Sequence, residues 1–118
     1  MNSTELKGRT MDFAVRVLRL ADSLPQTVSG QTLARQVARS GTSVAANYRA
    51  ALRGKSRADF ANKVTIVLEE ADETDFWIEL AERAGVIEAK KVSDLRREAE
   101  ELVRIFAATR RTARSGKS

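Results

Sequence analysis

The segment from residue 33 to residue 53 carries three neighbouring stripes of side chains at helical spacing. The first stripe is mainly apolar: Leu33, Val37, Ser40, Val44, Asn47 and Ala51. The second consists mostly of small residues: Ala34, Ala38, Gly41, Ala45, Tyr48 and Leu52. The third is largely basic: Arg35, Arg39, Thr42, Ala46, Arg49 and Arg53. Because residues three and four positions apart share one face of an α-helix, the segment is predicted to be a helix packed within a bundle.

Three other segments have apolar residues at the same period, and no strand pattern competes with them. We predict helices at about residues 10–23, 31–53, 56–84 and 88–111. Pro25 ends the first helix, and Gly54 caps the end of the second. Ser56, with Asp59 three residues later, begins the third, and Gly85 ends it. Short loops between amphipathic helices predict an all-α, antiparallel up-down-up-down four-helix bundle.

The predicted bundle domain spans residues 1–111, and a basic, disordered tail follows at residues 112–118. A core stripe is predicted along the third helix, broadened by three large side chains at its edge. The stripe consists of Phe60, Val64, Val67, Ala71, Thr74, Ile78 and Ala81, broadened by Ile66, Trp77 and Leu80.

The composition argues against several kinds of chemistry. The 118 residues include no Cys and no His, which excludes disulfides, Cys- or His-based zinc sites and His- or Cys-based catalytic triads. There is no Gly-rich phosphate loop, and no carboxylate pair projects into the predicted core from separate helices. We therefore predict a protein that is not an enzyme and uses no cofactor, metal or small-molecule substrate.

Hydropathy predicts a soluble protein without a membrane partner. No apolar run reaches the roughly 20 residues that span a bilayer. The first residues lack the basic region and apolar stretch of a signal peptide. We expect a cytoplasmic location.

Charge is distributed in blocks, although the net charge is only +5. No acid occurs between Asp22 and Asp59, whereas six bases do. Seven acids and no base lie between Glu69 and Glu82, and after Glu101 the chain has only bases. The predicted bundle thus combines a basic second helix, an acidic third helix and a basic C-terminal region.

The basic blocks have two possible partners. Four arginines of the second helix can contact nucleic-acid phosphates, or they can pair with the acidic third helix within one chain or across an interface. These are Arg35, Arg39, Arg49 and Arg53. Four C-terminal bases have no acids near them in sequence and are the stronger nucleic-acid candidates. These are Arg110, Arg111, Arg114 and Lys117.

Six further residues are candidates for structural or interface roles: Gly41, Asn47, Tyr48, Glu69, Glu73 and Trp77. The glycine belongs to the small-residue stripe, which invites close helix contact. The asparagine is expected to form a hydrogen bond that sets helix register, with ligand binding as the alternative. Glu69, Glu70 and Glu73 are expected to form a salt-bridged face; a metal site is the alternative, although di-iron bundles use Glu-x-x-His pairs. The tryptophan is interpreted as a core or interface anchor.

The stretch from residue 36 to residue 60, with the acidic helix after it, resembles the bundle proteins encoded by intervening sequences in bacterial large-subunit ribosomal RNA genes. The matching residues are Gln36, Arg39, Ser43, Val44, Asn47, Ser56, Asp59 and Phe60, followed by the acidic Glu69, Glu70 and Glu73. The chain departs from the family pattern after Asn47, where it has Tyr-Arg-Ala-Ala instead of Ile-Ala-Glu-Gly. Ala50 replaces the family's glutamate, so no role of that acid carries over.

The resemblance implies a ring-shaped homopentamer. A related family member is the accessory protein of diversity-generating retroelements, in which a basic pentamer binds a reverse transcriptase and nucleic acid. Two functions are therefore expected to compete. One is non-specific binding of RNA or DNA, or service as a reverse-transcriptase-associated scaffold. The other is a protein-interaction or purely structural oligomer, whose basic edge pairs with acidic helices of neighbouring subunits.

Overall fold

The computed structural model describes residues 1–116, which form four α-helices and no strand. The helices are α1 (Ser3–Ser23), α2 (Val28–Ala51), α3 (Arg57–Arg83) and α4 (Ala89–Ser115). They form an elongated bundle of 47 × 21 × 19 Å, so the predicted fold class is confirmed. No helix in this part of the chain is both long enough and apolar enough to span a membrane.

Helix α1 begins at Ser3, well before the predicted start at Thr10. The side chain of Asn2 caps it, because its Oδ1 accepts a hydrogen bond of 2.8 Å from the backbone N–H of Glu5. Leu6 is buried, so the additional turns have a core-facing side of their own. The N-cap and this apolar contact explain the earlier start.

Helix α2 is displaced toward the N-terminus relative to its prediction, and it runs unbroken through Gly41. It begins after Thr27, whose side chain accepts a hydrogen bond of 3.0 Å from the backbone N–H of Gly30. It ends at Ala51 rather than Arg53. The threonine cap therefore sets the start three residues earlier than the predicted Gln31.

Both predicted boundaries of α3 are confirmed. Ser56 is the N-cap, and its Oγ accepts a 3.0 Å hydrogen bond from the backbone N–H of Asp59. The carboxylate of Asp59 accepts a 3.1 Å bond from the backbone N–H of Lys55. Gly85 follows the helix in the left-handed conformation, with φ of 73°, which glycine adopts without steric cost.

Helix α4 continues to Ser115, so the prediction of a disordered tail from residue 112 is wrong for residues 112–115. Ala113 is buried, which ties the last helical turn to the rest of the bundle. Lys117 and Ser118 lie outside the described residues.

The core consists mainly of the predicted apolar stripes. Among its most deeply buried side chains are Phe13, Val17, Val44, Val64, Ile78, Leu102 and Phe106. Ser40 and Thr74 are also buried, and a 2.8 Å hydrogen bond between their hydroxyls joins α2 to α3. The placement of Ile66 and Leu80 in the core is wrong, because they are 43% and 40% exposed.

Side-chain contacts join each helix to the next in the chain. Gly41 of α2 lies against Val17 of α1. In α4, Arg96 reaches Asp75 of α3 at 2.9 Å. Among the helix pairs whose backbones lie side by side, α1 and α4 have the fewest contacts, and Arg9 bridges them by pairing with Glu98.

Candidate nucleic-acid interface

One end of the bundle collects basic residues from three helices. The C-terminus of α2 reaches α4 there through Tyr48 and Phe106, whose ring centroids are 5.1 Å apart. A groove of about 700 Å³ is lined by Leu6 of α1, Arg57 of α3 and Ala113 of α4. We call this region the basic end, defined by Arg49, Arg53, Lys55, Arg57, Arg110, Arg111 and Arg114.

These bases are available to a ligand. Arg110 is half-buried, and the other six are exposed. None forms an ion pair with an acid within residues 1–116. The like charges of such a cluster repel each other, and bound counter-ions or phosphates reduce this repulsion.

One acid in this region, Asp59, serves the start of α3. Lys63 contacts its Oδ1 at 3.0 Å and is the largest cause of the lowered pKa of Asp59, followed by the hydrogen bond from the backbone of Lys55. This carboxylate is therefore committed to the helix start and to Lys63. It leaves the arginines on both sides of the loop without a counter-charge.

The predicted basic edge of α2 is divided by the fold. Arg49 and Arg53 lie at the basic end, whereas Arg35 lies near the N-terminus of α2 and is exposed. Arg39 pairs with Glu70 at 3.2 Å and also with Glu73, so its partners are acids of α3 in the same chain.

Of the C-terminal candidates, Arg110, Arg111 and Arg114 lie on the last turns of α4, and Lys117 lies outside the described residues. Sequence reasoning did not select Lys55 and Arg57 for this site. The sequence signal was their position just after Gly54, in the loop before α3 and at its first residue, which carries them to the same end as the α4 C-terminus.

Most acids of α3 are occupied within the chain. Arg96 contacts Asp75 at 2.9 Å and both Glu79 and Glu82 at 3.6 Å. The hydrogen bond that Arg96 donates to Asp75 is the largest cause of the raised pKa of Arg96. Within the described part of the chain, no cluster of three or more acids is placed to hold a metal ion.

Glu69 and Asp72 differ from the other acids between residues 69 and 82. Both are exposed, and neither forms an ion pair within the described residues. Of the candidate interface glutamates, Glu69 therefore faces solvent, whereas Glu73 is engaged by Arg39.

Two candidates on α2 serve contacts within the chain. A Cβ atom at Gly41 would lie 2.5 Å from Cγ1 of Val17, so glycine at this position of the small-residue stripe lets α1 pack close to α2. Asn47 donates hydrogen bonds of 2.9 and 2.7 Å to the backbone oxygen and the Oγ of Ser43. The amide thus bonds within its own helix.

Tyr48 and Trp77 are anchors of different kinds. Tyr48 is only 3% exposed, and burial raises the pKa of its phenol. Trp77 is half-buried, and its Nε1 donates a 3.0 Å hydrogen bond to Glu73. Phe76, which sequence reasoning did not single out, lies edge-on to Trp77 at 4.9 Å and is 52% exposed.

Comparison with known proteins connects this geometry to a family. The chain is similar over 95% of its length, with 34% identity and a TM-score of 0.88, to a protein of unknown function in the S23 ribosomal protein family of Bacteroides thetaiotaomicron. The similarity covers 100% of that protein's chain. No protein with a curated description matches. A model of the family described as 23S rRNA-intervening sequence protein matches residues 3–108. The chain therefore belongs to the family of 23S rRNA-intervening sequence proteins.

Proposed function

We propose that this protein is a non-enzymatic homo-oligomer that binds nucleic acid without sequence specificity through its basic end. The observation that carries the proposal is the cluster of seven bases from α2, α3, α4 and the loop before α3. Their charges have no ion-pair partner in the described part of the chain.

The side chains of the basic end are suited to contact the phosphates of a nucleic acid rather than its nucleobases. Arginine presents a planar fork of donors that matches phosphate oxygens, and helix ends hold these side chains in a limited region. Contacts of this kind release counter-ions and make affinity fall steeply with salt. Since phosphates are common to all sequences, the binding is expected to tolerate any sequence.

Oligomerisation would strengthen such binding, because several basic ends act on one strand at high effective concentration. The resemblance to pentameric members supports a homopentamer as the assembled form. It also supports a reverse transcriptase as a protein partner. RNA is the first probe to test, since the family is described by an intervening sequence of ribosomal RNA.

The test compares matched triple variants in binding to labelled single-stranded RNA and double-stranded DNA at two salt concentrations. Arg53→Gln, Arg111→Gln and Arg114→Gln remove three charges from the basic end. Three exposed bases of the opposite end are replaced in the control: Lys90→Gln, Lys91→Gln and Arg97→Gln.

The basic-end variant is expected to lose about tenfold or more in affinity at low salt, with a salt slope reduced by about 0.7–0.9 per lost phosphate contact. The control variant is expected to bind nearly as the unmodified chain does. Equal losses in both variants would show that only net charge matters. No binding to either nucleic acid at low salt would overturn the proposal.

An alternative function, a protein-interaction or structural oligomer, is favoured by one specific observation. Arg39 pairs with Glu70 and Glu73, which shows that the basic edge and the acidic helix can neutralise each other. If the basic end fails to bind nucleic acid while the protein assembles normally, this alternative is the correct function.

A further inference from the structure

Two stripes of large apolar side chains lie on the surface of the bundle. The α1 stripe consists of Met11, Val15 and Leu18, which are 52%, 39% and 44% exposed. The α3 stripe consists of Ile66, Phe76 and Leu80, which are 43%, 52% and 40% exposed. Glu69 and Glu73 lie on the same face of α3, between Ile66 and Phe76. Single exposed apolar residues are ordinary on proteins, whereas aligned sets along a helix face mark surfaces that are covered in an assembly.

The α3 stripe includes an aromatic side chain, Phe76, whose orientation is fixed by its neighbours. Phe76 lies edge-on to Trp77 at 4.9 Å, and the indole is fixed by its hydrogen bond to Glu73. Glu73 is in turn held by Arg39. A large aromatic side chain that is oriented before binding loses little entropy on contact, which is the property of interface hot spots.

The two stripes cannot cover each other within one molecule. Helices α1 and α3 have no Cα atoms within 8 Å of each other in residues 1–116, and α2 packs against both. Each stripe therefore remains open unless another molecule covers it. Two different exposed stripes favour head-to-tail contact over a symmetric dimer. In head-to-tail contact, the α1 stripe of one copy packs on the α3 stripe of another, and its own α3 stripe remains available for a third copy.

Beside the α3 stripe the unpaired charges are acids, whereas beside the α1 stripe two arginines accompany one acid, Asp12. Glu69 and Asp72 lie seven and four residues before Phe76 on α3. Arg16 and Arg19 each directly follow a member of the α1 stripe. All four side chains are exposed and form no ion pair among the described residues. The acids of one copy can thus meet the arginines of another around an apolar centre.

We propose that the α1 stripe of one copy docks on the α3 stripe of the next. The inference rests on the proposed oligomer and names the surface that builds it. Repetition of this contact closes a ring if the rotation between copies permits, or extends a filament if it does not. The stripes run along the sides of the bundle, so assembly leaves the bases of the basic end open.

The test uses two blocked variants and measures mass by analytical ultracentrifugation. The α1-blocked variant carries Val15→Gln and Leu18→Gln, and the α3-blocked variant carries Phe76→Gln and Leu80→Gln. Val28→Gln is the control, since Val28 is 85% exposed and belongs to neither stripe. Circular dichroism of each variant verifies that the helices remain folded.

Each blocked variant is expected to fall to the 13.0 kDa monomer, while the control assembles like the unmodified chain. The decisive step is to mix the two blocked variants in equal amounts. Each variant then retains one intact stripe, so the mixture should form a species of twice the 13.0 kDa mass and nothing larger. A symmetric interface predicts no such recovery.

The outcomes separate this inference from the proposed function. If folded blocked variants keep the mass of the unmodified oligomer, or if the mixture gives no dimer, the pairing of α1 with α3 is wrong while the oligomer stands. If the unmodified chain is monomeric at tens of micromolar, this inference and the proposed oligomer both fail. RNA binding is measured independently, and it alone tests whether the basic end binds nucleic acid.

Discussion

At the scale of the residue, individual atoms decide how closely the helices approach. Gly41 leaves room for Val17, and the hydroxyls of Ser40 and Thr74 form a hydrogen bond in a mainly apolar core. Tyr48 places an aromatic ring against Phe106 beneath the basic end. These contacts join α2 to each of the other helices, so substitutions on α2 report on the packing of the whole bundle.

Gly41→Ala is expected to destabilise the protein by about 1–3 kcal/mol, because its Cβ would overlap Val17. Gly8→Ala is the matched control: a Cβ atom there would meet open space beyond its own helix turn, and alanine should stabilise α1 by about 0.5–1 kcal/mol. Urea unfolding measures both. If Gly41→Ala is as stable as the parent, the approach of α1 to α2 is looser than described.

Tyr48 is expected to make stability decline at high pH. Burial raises the pKa of its phenol above the unfolded value near 10. The stabilising contribution is therefore complete below pH of about 10, and it is lost as pH rises through the folded pKa. Tyr48 is the single tyrosine of the chain, so phenolate absorbance follows it alone. The folded midpoint should lie above that measured in urea.

The control for this titration is Tyr48→Phe, which should abolish the absorbance change and flatten the alkaline decline in unfolding free energy. Equal titration midpoints in water and in urea would show that burial does not hold the phenol in its neutral form.

At the scale of the element, the weakest seam is the one between α1 and α4. It depends on Arg9, which makes paired bonds of 2.7 Å to both carboxylate oxygens of Glu98 and a 3.0 Å contact with Glu101. The hydrogen bond to Glu98 is the largest cause of the raised pKa of Arg9. The side chains of Arg9 and Glu98 are 22% and 17% exposed, so water screens this pair only partly.

Arg9→Gln is expected to cost about 1–2 kcal/mol, since it leaves Glu98 partly buried without its partner. The comparison is Arg97→Gln, which breaks an exposed pair with Asp94 and should change stability by less than about 0.5 kcal/mol. Thermal unfolding at low and high salt measures both. Equal effects of the two substitutions would show that the α1–α4 seam does not depend on this bridge.

At the scale of the whole molecule, the structure separates the basic end from the apolar stripes. Seven bases without counter-charges lie at the basic end, whereas the apolar stripes run along the sides on α1 and α3. Arg39 and Arg96 neutralise most of the acidic helix from within the chain. The two proposals therefore use different surfaces, and a variant that blocks assembly need not remove the bases that contact phosphates.

The sequence by itself determined the local structure. Helical periodicity identified four helices, and short-range caps such as Ser56 and Gly85 placed both ends of α3 correctly. The start of α1 was missed because a cap at Asn2 and one buried leucine leave too weak a periodic signal. These features depend on residues within a few positions of each other, which a sequence displays directly.

Only the tertiary structure decided which charges and apolar groups remain free. Arg39 is paired while Arg53 is not, and Glu73 is held while Glu69 is not. Ile66 and Leu80 share the helical period of the core yet lie outside it. Periodicity defines the faces of a helix, but it does not say how widely its neighbours cover them. That coverage depends on packing between residues far apart in the chain. The ion-pair partner of each charged side chain depends on the same packing.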